Sequence, residues 1–333
     1  MRVLVIGANY GLLVAGMFLQ RDVEVDLFCT HEQMQTLNAE GFTFSHRDQV
    51  WSFQPGSRCI AIDSATKEKY ELAVLATQEP TLATETIRDV IQFLSDSETP
   101  LLSIMNIPLS QFLISRVGID TSINLDWIYS SLATTNLIHA DLIINSNPEP
   151  QVFSPSKFNQ LSIRLGGAFR CSSLEKVTSD LRRLMTENVQ GGLPVSFKEY
   201  DSPWVSLSKL PMLITGNYRC IYENKLRSIS NAVHSDVKTS REIYEAVVEV
   251  QKYHGAGRAN IVPFAAYLKA SLALDAPSSV CRAIYDGRTK VERVDRLVYD
   301  LSLPVVGPTS VIADVVADID FSIERFGTSN LLE

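Results

Sequence analysis

The sequence predicts an α/β domain over residues 1–200, with a mostly parallel, doubly wound sheet and an added antiparallel portion, followed by an all-helical domain over 201–333. Three observations predict it. Arg2 to Ile6 (RVLVI) is a continuous apolar run ending at Gly7, the pattern of a strand buried on both faces of a parallel sheet. Strand and helix patterns then alternate as far as Met105. From Pro203 onward the apolar spacing is helical throughout, and 333 residues exceed what one hydrophobic core usually serves.

The elements follow in order. After Gly7 a helix is expected over Tyr10 to Leu19, a second strand over Val23 to Phe28 and a second helix over Glu32 to Glu40. This β-turn-α-β order within about 30 residues is the mononucleotide-binding half of a Rossmann-like sheet. Between Gly41 and Lys69 short apolar pairs alternate (Phe42, Phe44, Val50, Trp51, Phe53), predicting an antiparallel excursion before the sheet resumes at Leu72 to Ala76. A helix over Thr81 to Leu94 and a strand over Leu101 to Met105 complete the second half. A β-rich stretch covers Leu137 to Ile144, Gln151 to Phe153 and Gln160 to Leu165, then a helix near Leu174 to Met185 and a strand over Pro194 to Phe197. Helices are expected at roughly 204–228, 239–254, 263–272, 277–300 and 308–325.

Composition narrows the function. A net charge of -8 argues against a nucleic-acid surface, which needs clustered Lys and Arg. Five widely spaced cysteines without a C-x-x-C argue against zinc or a disulfide framework and for a reduced, cytoplasmic setting. No stretch of 18 apolar residues predicts a membrane span. The apolar face with Ile243, Val247 and Val250 suits helix packing and a homodimer.

The motif with chemistry is Gly7-Ala8-Asn9-Tyr10-Gly11-Leu12. A full dinucleotide fingerprint places glycines at the first, third and sixth positions, for the tight turn, the close approach of pyrophosphate and helix-strand packing. Only Gly7 matches. Asn9 is tolerable at the second glycine because Asn visits positive φ readily, and Gly11 and Gly16 are placed to relieve crowding left by Leu12. The helix N-terminus would offer its N–H groups to phosphate; a strand-helix turn that binds nothing is the plainer reading. At the end of the second strand an acid would select NAD and an arginine NADP. Phe28-Cys29-Thr30-His31 supplies neither. Thr30 and His31 can hydrogen-bond a ribose or phosphate, and Thr30 equally suits a cap for the following helix.

The glycine turn, an asparagine after the Leu101 strand, the β-rich stretch and a helical domain opening on a Lys-Leu pair together resemble the ketopantoate reductases, of the 6-phosphogluconate dehydrogenase-like superfamily. The resemblance covers nearly the whole chain and implies NADP(H) as cofactor, with NAD left open. The family's Ile-His-Asn-Gly-Met-Gly segment corresponds to Ile104-Met105-Asn106-Ile107-Pro108-Leu109, which keeps the asparagine that contacts cofactor and substrate and loses both glycines. A cap for a helix beginning at Pro108 is the alternative for Asn106. A lysine often found after the fourth sheet strand is replaced by Gln78, followed by Glu79, which favours a helix N-terminus.

The family's general acid, a lysine in Trp-x-Lys-Leu followed by asparagines four and eight positions on, falls on Lys209 in Trp204-Val-Ser-Leu-Ser-Lys209-Leu210. Asn217 matches the second asparagine and Leu213 replaces the first. The resemblance implies that Lys209 protonates the oxygen formed when hydride reaches a ketone. The family's substrate-binding Ser and its Thr-Glu-Ile-Asp stretch fall on Ser278 and Thr289-Lys290-Val291-Glu292. The family glutamate becomes Lys290, while Glu292 keeps the last acid and could serve if the register slips by two.

The resulting expectation is an NAD(P)-dependent oxidoreductase acting on a small ketone, keto acid or imine. The departures at Asn9, Leu12, Gln78, Ile107, Leu213 and Lys290 support an alternative, a catalytically inactive relative acting as a binding or regulatory protein. An opine-type dehydrogenase shares the two-domain architecture and uses a His-Asp pair in the helical domain. Its candidates are His234 with Asp236, too close in sequence to face one another on a helix, and His254; both histidines ordinarily read as solvent-facing.

Overall fold

The computed structural model describes all residues except 55, 57–58, 63–68, 121–136, 145–150, 155–156, 164–166, 173 and 330–333. The chain divides into two compact units, one of Met1–Arg116 with the described parts of Ser130–Asn145 and Glu149–Ser206, the other of residues 117–120 and the described residues from Leu207 onward.

In the first unit, β1 (Arg2–Ile6) lies between β2 (Glu24–Phe28) and β6 (Leu72–Leu75), parallel to both. Val3, Val5, Leu72 and Val74 are wholly buried, because helices cover both faces of a parallel sheet and leave no place for polar alternation. The connections are α1 (Tyr10–Leu19), α2 (His31–Glu40) and α3 (Glu85–Asp96). Asp26, buried in β2, accepts hydrogen bonds from Tyr70 (2.7 Å) and Arg2 (3.0 Å), which compensates its desolvation.

The aromatic pairs after Gly41 do form an antiparallel hairpin, β3 (Phe42–His46) and β4 (Gln49–Phe53), with Phe42 opposite Phe53 and their rings stacked at 4.9 Å. It belongs to a separate four-stranded sheet, β4-β3-β10-β9, completed by β9 (Gln151–Ser154) and β10 (Lys157–Ile163). The excursion is shorter than expected, however. β5 (Cys59–Ile62) pairs in parallel with β2 at the edge of the main sheet. Cys59 and Ala61 are buried while Ile60 is 39% exposed; an edge strand covered on one face alternates just as an antiparallel strand does.

The main sheet runs β12-β11-β8-β7-β6-β1-β2-β5, with β7 (Leu101–Ser103), β8 (Leu137–Ile144), β11 (Gly167–Cys171) and β12 (Val195–Glu199). The six strands from β8 to β5 are parallel, in the strand order of a doubly wound dinucleotide-binding sheet. β11 is antiparallel to β8 and parallel to β12. α4 (Ser110–Phe112) follows β7, and α5 (Ser179–Thr186) precedes β12.

The second unit is helical, and two of the long helices expected from sequence are interrupted. In place of one helix over 204–228 there are a 3-10 turn (Pro203–Leu207), α6 (Leu210–Thr215), a second 3-10 turn (Asn217–Arg219) and a small hairpin of β13 (Ile221–Tyr222) and β14 (Lys225–Leu226). Glu223 and Asn224 both take positive φ at its tip, the backbone of a two-residue hairpin turn. α7 (Ile229–His234), α8 (Val237–Tyr253) and α9 (Phe264–Ser271) follow. Tyr244 of α8 stacks on Tyr267 of α9 at 5.5 Å in the core they share with Val233, Val248 and Phe264. The expected helix over 277–300 separates into α10 (Ser279–Tyr285) and α11 (Val294–Val306), divided at the Asp286-Gly287 turn, and α12 (Val311–Ser329) closes the unit. Arg293 ahead of α11 pairs with Asp295 (2.7 Å) and with Asp320 of α12 (2.6 Å).

Both histidines of the opine-type reading are half-buried and tied to a neighbouring helix. His234 Nε2 lies 3.1 Å from both the Leu268 carbonyl and Ser271 Oγ, and His254 Nε2 lies 2.8 Å from the Leu301 carbonyl. They join helices. Among the described residues no helix is long and apolar enough to cross a membrane.

Candidate functional site

The strand order creates the site of the first unit. From β1 the chain moves outward to β2 and β5, then returns to β6 on the other side of β1. The loops leaving β1 and β6 therefore diverge, and a crevice opens at their carboxyl ends. Gly7 stands there with φ +106, and a Cβ on it would lie 2.6 Å from the Ala76 carbonyl oxygen. Only glycine satisfies both the backbone angle and the space. Its N–H donates to the Phe28 carbonyl (2.8 Å) and Ala76 N–H donates to the Ile6 carbonyl (2.8 Å), so the turn is tied to β2 and to the end of β6.

α1 begins three residues later, its N-terminal peptide dipoles directed at the crevice. A Cβ on Gly11 would lie 2.8 Å from Val5 Cγ1 and 3.2 Å from Ala76 Cβ. Gly11 thus provides the helix-strand approach assigned to the missing last glycine, with Gly16 relieving α1 against Phe44 one turn on. Leu12 is directed into the core, 1% exposed. Asn9 takes φ −75, so the positive φ expected to favour asparagine there is not needed. Ala8 is buried beneath the turn; Asn9 and Tyr10 are exposed.

Around this turn lie the other residues the sequence singled out. Thr30 is a helix cap: its Oγ1 accepts from Gln33 N–H at 3.3 Å and its own N–H donates to Gln33 Oε1 at 3.2 Å, a complete capping box. His31 opens α2, exposed, with Nε2 2.9 Å from Gln35 Nε2. Neither an acid nor an arginine follows β2. Gln78 is exposed after β6, ahead of a 3-10 turn at Glu79–Ala83 in which Glu79 is buried. Asn106 is exposed in the bend after β7, between buried Met105 and Ile107. It caps no helix, because α4 starts at Ser110 with Leu109 at its N-cap.

In the second unit Lys209 is half-buried at the N-cap position of α6, where its carbonyl accepts the Leu213 N–H (2.9 Å). Leu213 is buried at the position of the family asparagine. Asn217 stands one helix and a glycine further on, and here the structure draws several candidates together. Ser278 Oγ donates to the Asn217 carbonyl (2.5 Å) and accepts from Cys281 N–H (3.2 Å), so Ser278 caps α10 and is 3% exposed. Tyr218 Oη donates to the Glu292 carbonyl and accepts from Val294 N–H (3.0 Å). Burial, with Asp295 and Glu292 nearby, pushes the Tyr218 phenol well above its ordinary pKa, so it remains a donor. Lys290 and Glu292 lie on the loop between α10 and α11, where a continuous helix was expected; Lys290 is exposed and Glu292 half-buried. Ser278 thus holds Asn217 while its neighbour Tyr218 holds the Glu292 backbone, with Lys290 on the loop that Tyr218 anchors.

Sequence reasoning did not assign the role of Ala76, whose carbonyl demands the glycine at position 7, nor the thiols Cys220 and Cys281 beneath Asn217. Alanine and scattered cysteines carry no spacing signal; only their neighbours reveal them.

No protein-family model matches the sequence, and no curated protein matches it. Solved structures do share its architecture. A 2-dehydropantoate 2-reductase from Methylococcus capsulatus aligns at 13% identity and a TM-score of 0.66, covering 98% of each chain. One from Geobacter metallireducens aligns at 13% identity and 0.65, covering 98% of this chain and 99% of the other. A D-mandelate dehydrogenase in ternary structure with NADH and anilino(oxo)acetate aligns at 12% identity and 0.64, with 98% and 99% covered. Identity this low speaks for architecture alone: along nearly its whole length the chain has the ketopantoate reductase fold.

Proposed function

We propose that this chain is an NAD(P)-dependent oxidoreductase that reduces a small ketone or keto acid, or an imine, with Lys209 as proton donor. The observation that carries the reading is the glycine turn at the switch point of the sheet: Gly7 at φ +106 against the Ala76 carbonyl, with α1 starting immediately above. Such a turn fits a pyrophosphate, because backbone N–H groups and a helix N-terminus face the anion with no side chain between.

When bound, the nicotinamide cofactor supplies the hydride. The backbone of Gly7, Ala8, Asn9, Tyr10 and Gly11 would hold its phosphates, with Thr30, His31 and Gln78 beside the adenosine half. The family resemblance favours NADP(H). Asn106, exposed after β7, would orient cofactor and substrate through its amide. The Lys209 ammonium gives a proton to the carbonyl oxygen as that carbon accepts hydride, so an alcohol leaves and a neutral amine remains to be reprotonated from solvent. Asn217 holds the substrate, and Ser278, whose hydroxyl is engaged on both sides, acts by holding Asn217. Lys290 in place of an acid favours a substrate with a second anionic group, and Glu292 is the acid left on the same loop.

Lys209→Ala, assayed with NADPH and NADH against a panel of 2-keto acids, is expected to lower kcat by about 10²–10⁴ while leaving dinucleotide affinity, read by cofactor fluorescence, unchanged. Unaltered turnover overturns the role of Lys209. Dinucleotide binding without turnover of any ketone would mark the chain as a binding or regulatory relative, and failure to bind either dinucleotide at sub-millimolar concentration overturns the proposal.

A further inference from the structure

Two thiols meet beneath the Asn217–Ser278 contact, and the proposed reaction uses neither. Cys220 follows the 3-10 turn Asn217–Arg219, and Cys281 lies in the first turn of α10; both are wholly buried. Cys281 Sγ donates to the Asn217 carbonyl at 3.2 Å, and Ser278 N–H donates to Cys220 Sγ at 3.5 Å. The same serine accepts the Cys281 N–H on its hydroxyl. One serine therefore holds both cysteines, and the Cys220 thiol in turn donates to the Gly216 carbonyl at 3.4 Å.

The pair is electrostatically unequal. Cys220 is drawn down to about 7, first by the neighbouring Cys281 thiol, with help from the Ser278 N–H and the Arg227 guanidinium, while Cys281 is raised by Cys220 and by burial. Elsewhere burial alone dominates: the Cys59 and Cys171 thiols are both pushed up to about 12. Near neutral pH Cys220 is thus partly ionised beside a protonated Cys281 thiol, the arrangement of an attacking and a resolving sulfur.

We propose that Cys220 and Cys281 are a peroxide-responsive dithiol that closes to a reversible disulfide. The Cys220 thiolate attacks one peroxide oxygen, the O–O bond breaks, and Cys220 sulfenic acid and hydroxide result. The Cys281 sulfur then attacks the sulfenyl sulfur; the S–S bond forms, the S–O bond breaks, and the thiol proton leaves with the hydroxyl as water. Two thiols lose two electrons, and one hydrogen peroxide becomes two waters once the hydroxide recovers the proton Cys220 released on ionising. Both sulfurs are sealed from solvent, so entry waits on local opening. The two-residue strands of the β13–β14 hairpin, which begins beside Cys220 and carries a Tyr222 56% exposed, are the weakest cover nearby. Closure removes the S–H by which Cys281 holds the Asn217 carbonyl. Its effect on substrate handling rests on the function proposed above; the disulfide itself does not.

The test treats the folded full chain with hydrogen peroxide, removes the peroxide, unfolds the chain in denaturant with iodoacetamide to block the remaining thiols, and maps digested peptides by mass. The expected result is a Cys220–Cys281 linked peptide two hydrogens lighter than its reduced parts, formed at least about tenfold faster than any oxidation of Cys171 and reversed by dithiothreitol. Cys281→Ser should abolish the link and let Cys220 proceed to sulfinic acid. The proposal is overturned if all five cysteines are still alkylated when the peroxide-treated chain is unfolded, if the link appears only when peroxide is added in denaturant, or if Cys29, Cys59 or Cys171 oxidises first. The measurement needs neither cofactor nor substrate, so its failure leaves the oxidoreductase reading standing, and failure of that reading leaves this test decisive.

Discussion

At the scale of single residues, the site rests on a few positions where one atom more would not fit. Gly7→Ala forces a left-handed backbone on an L residue and drives Cβ into the Ala76 carbonyl. It is expected to cost about 1–3 kcal/mol of stability and to weaken dinucleotide binding, measured by urea denaturation and fluorescence titration; an alanine variant with wild-type stability and affinity would show that the turn is not strained. The need for Gly7 was legible in the sequence because it follows a buried strand directly. That Gly11 performs the packing task was only half legible. Reading the fingerprint position by position puts the fault at Leu12, whereas the contact is set by Val5 of β1 and Ala76 just past the end of β6. Thr30 shows the opposite case: its capping box uses residues three apart, so local sequence already contained the answer.

At the scale of elements, caps and turns decide where helices start and stop. Asp236 caps α8, accepting the Thr239 N–H at 3.0 Å and the Thr239 hydroxyl at 2.7 Å. The Thr239 side-chain hydrogen bond, then that of its N–H, lowers the Asp236 pKa below the ordinary value. The stabilisation is therefore complete above about pH 4, the unfolded value, and is lost as pH falls through the lower folded value. Asp236→Asn retains a cap without the charge. Urea midpoints followed from pH 7 to 2 should fall less steeply on the acid side for the variant than for the wild type, and superimposable profiles would remove Asp236 from the acid response. Element existence was largely legible: α1 spans Tyr10–Leu19 and α9 Phe264–Ser271, close to their apolar periodicity. The interruptions at 216–228 and 286–293 were not, because apolar residues continue through them at helical spacing while tertiary contacts such as Tyr218 to Glu292 hold the backbone in another path.

At the scale of the whole molecule, the proposed dinucleotide binds only the folded chain, so it must stabilise that chain by mass action. At a concentration 100 times its Kd, NADPH or NADH should add about 2.7 kcal/mol, seen as a thermal midpoint that rises with ligand concentration. A midpoint indifferent to both dinucleotides would refute a dinucleotide site. By itself the sequence determined the alternation of strands and helices, the parallel core around β1, the helical second half and the glycine at the first turn, because each is written in the spacing of neighbouring residues. Tertiary structure alone decided that β5 joins the main sheet beside β2, that Gly11 performs the task of the missing glycine, and that Asn217, Ser278, Cys220 and Cys281 share one set of hydrogen bonds. Those outcomes depend on residues far apart in the chain, and a one-dimensional pattern does not record which of them will meet.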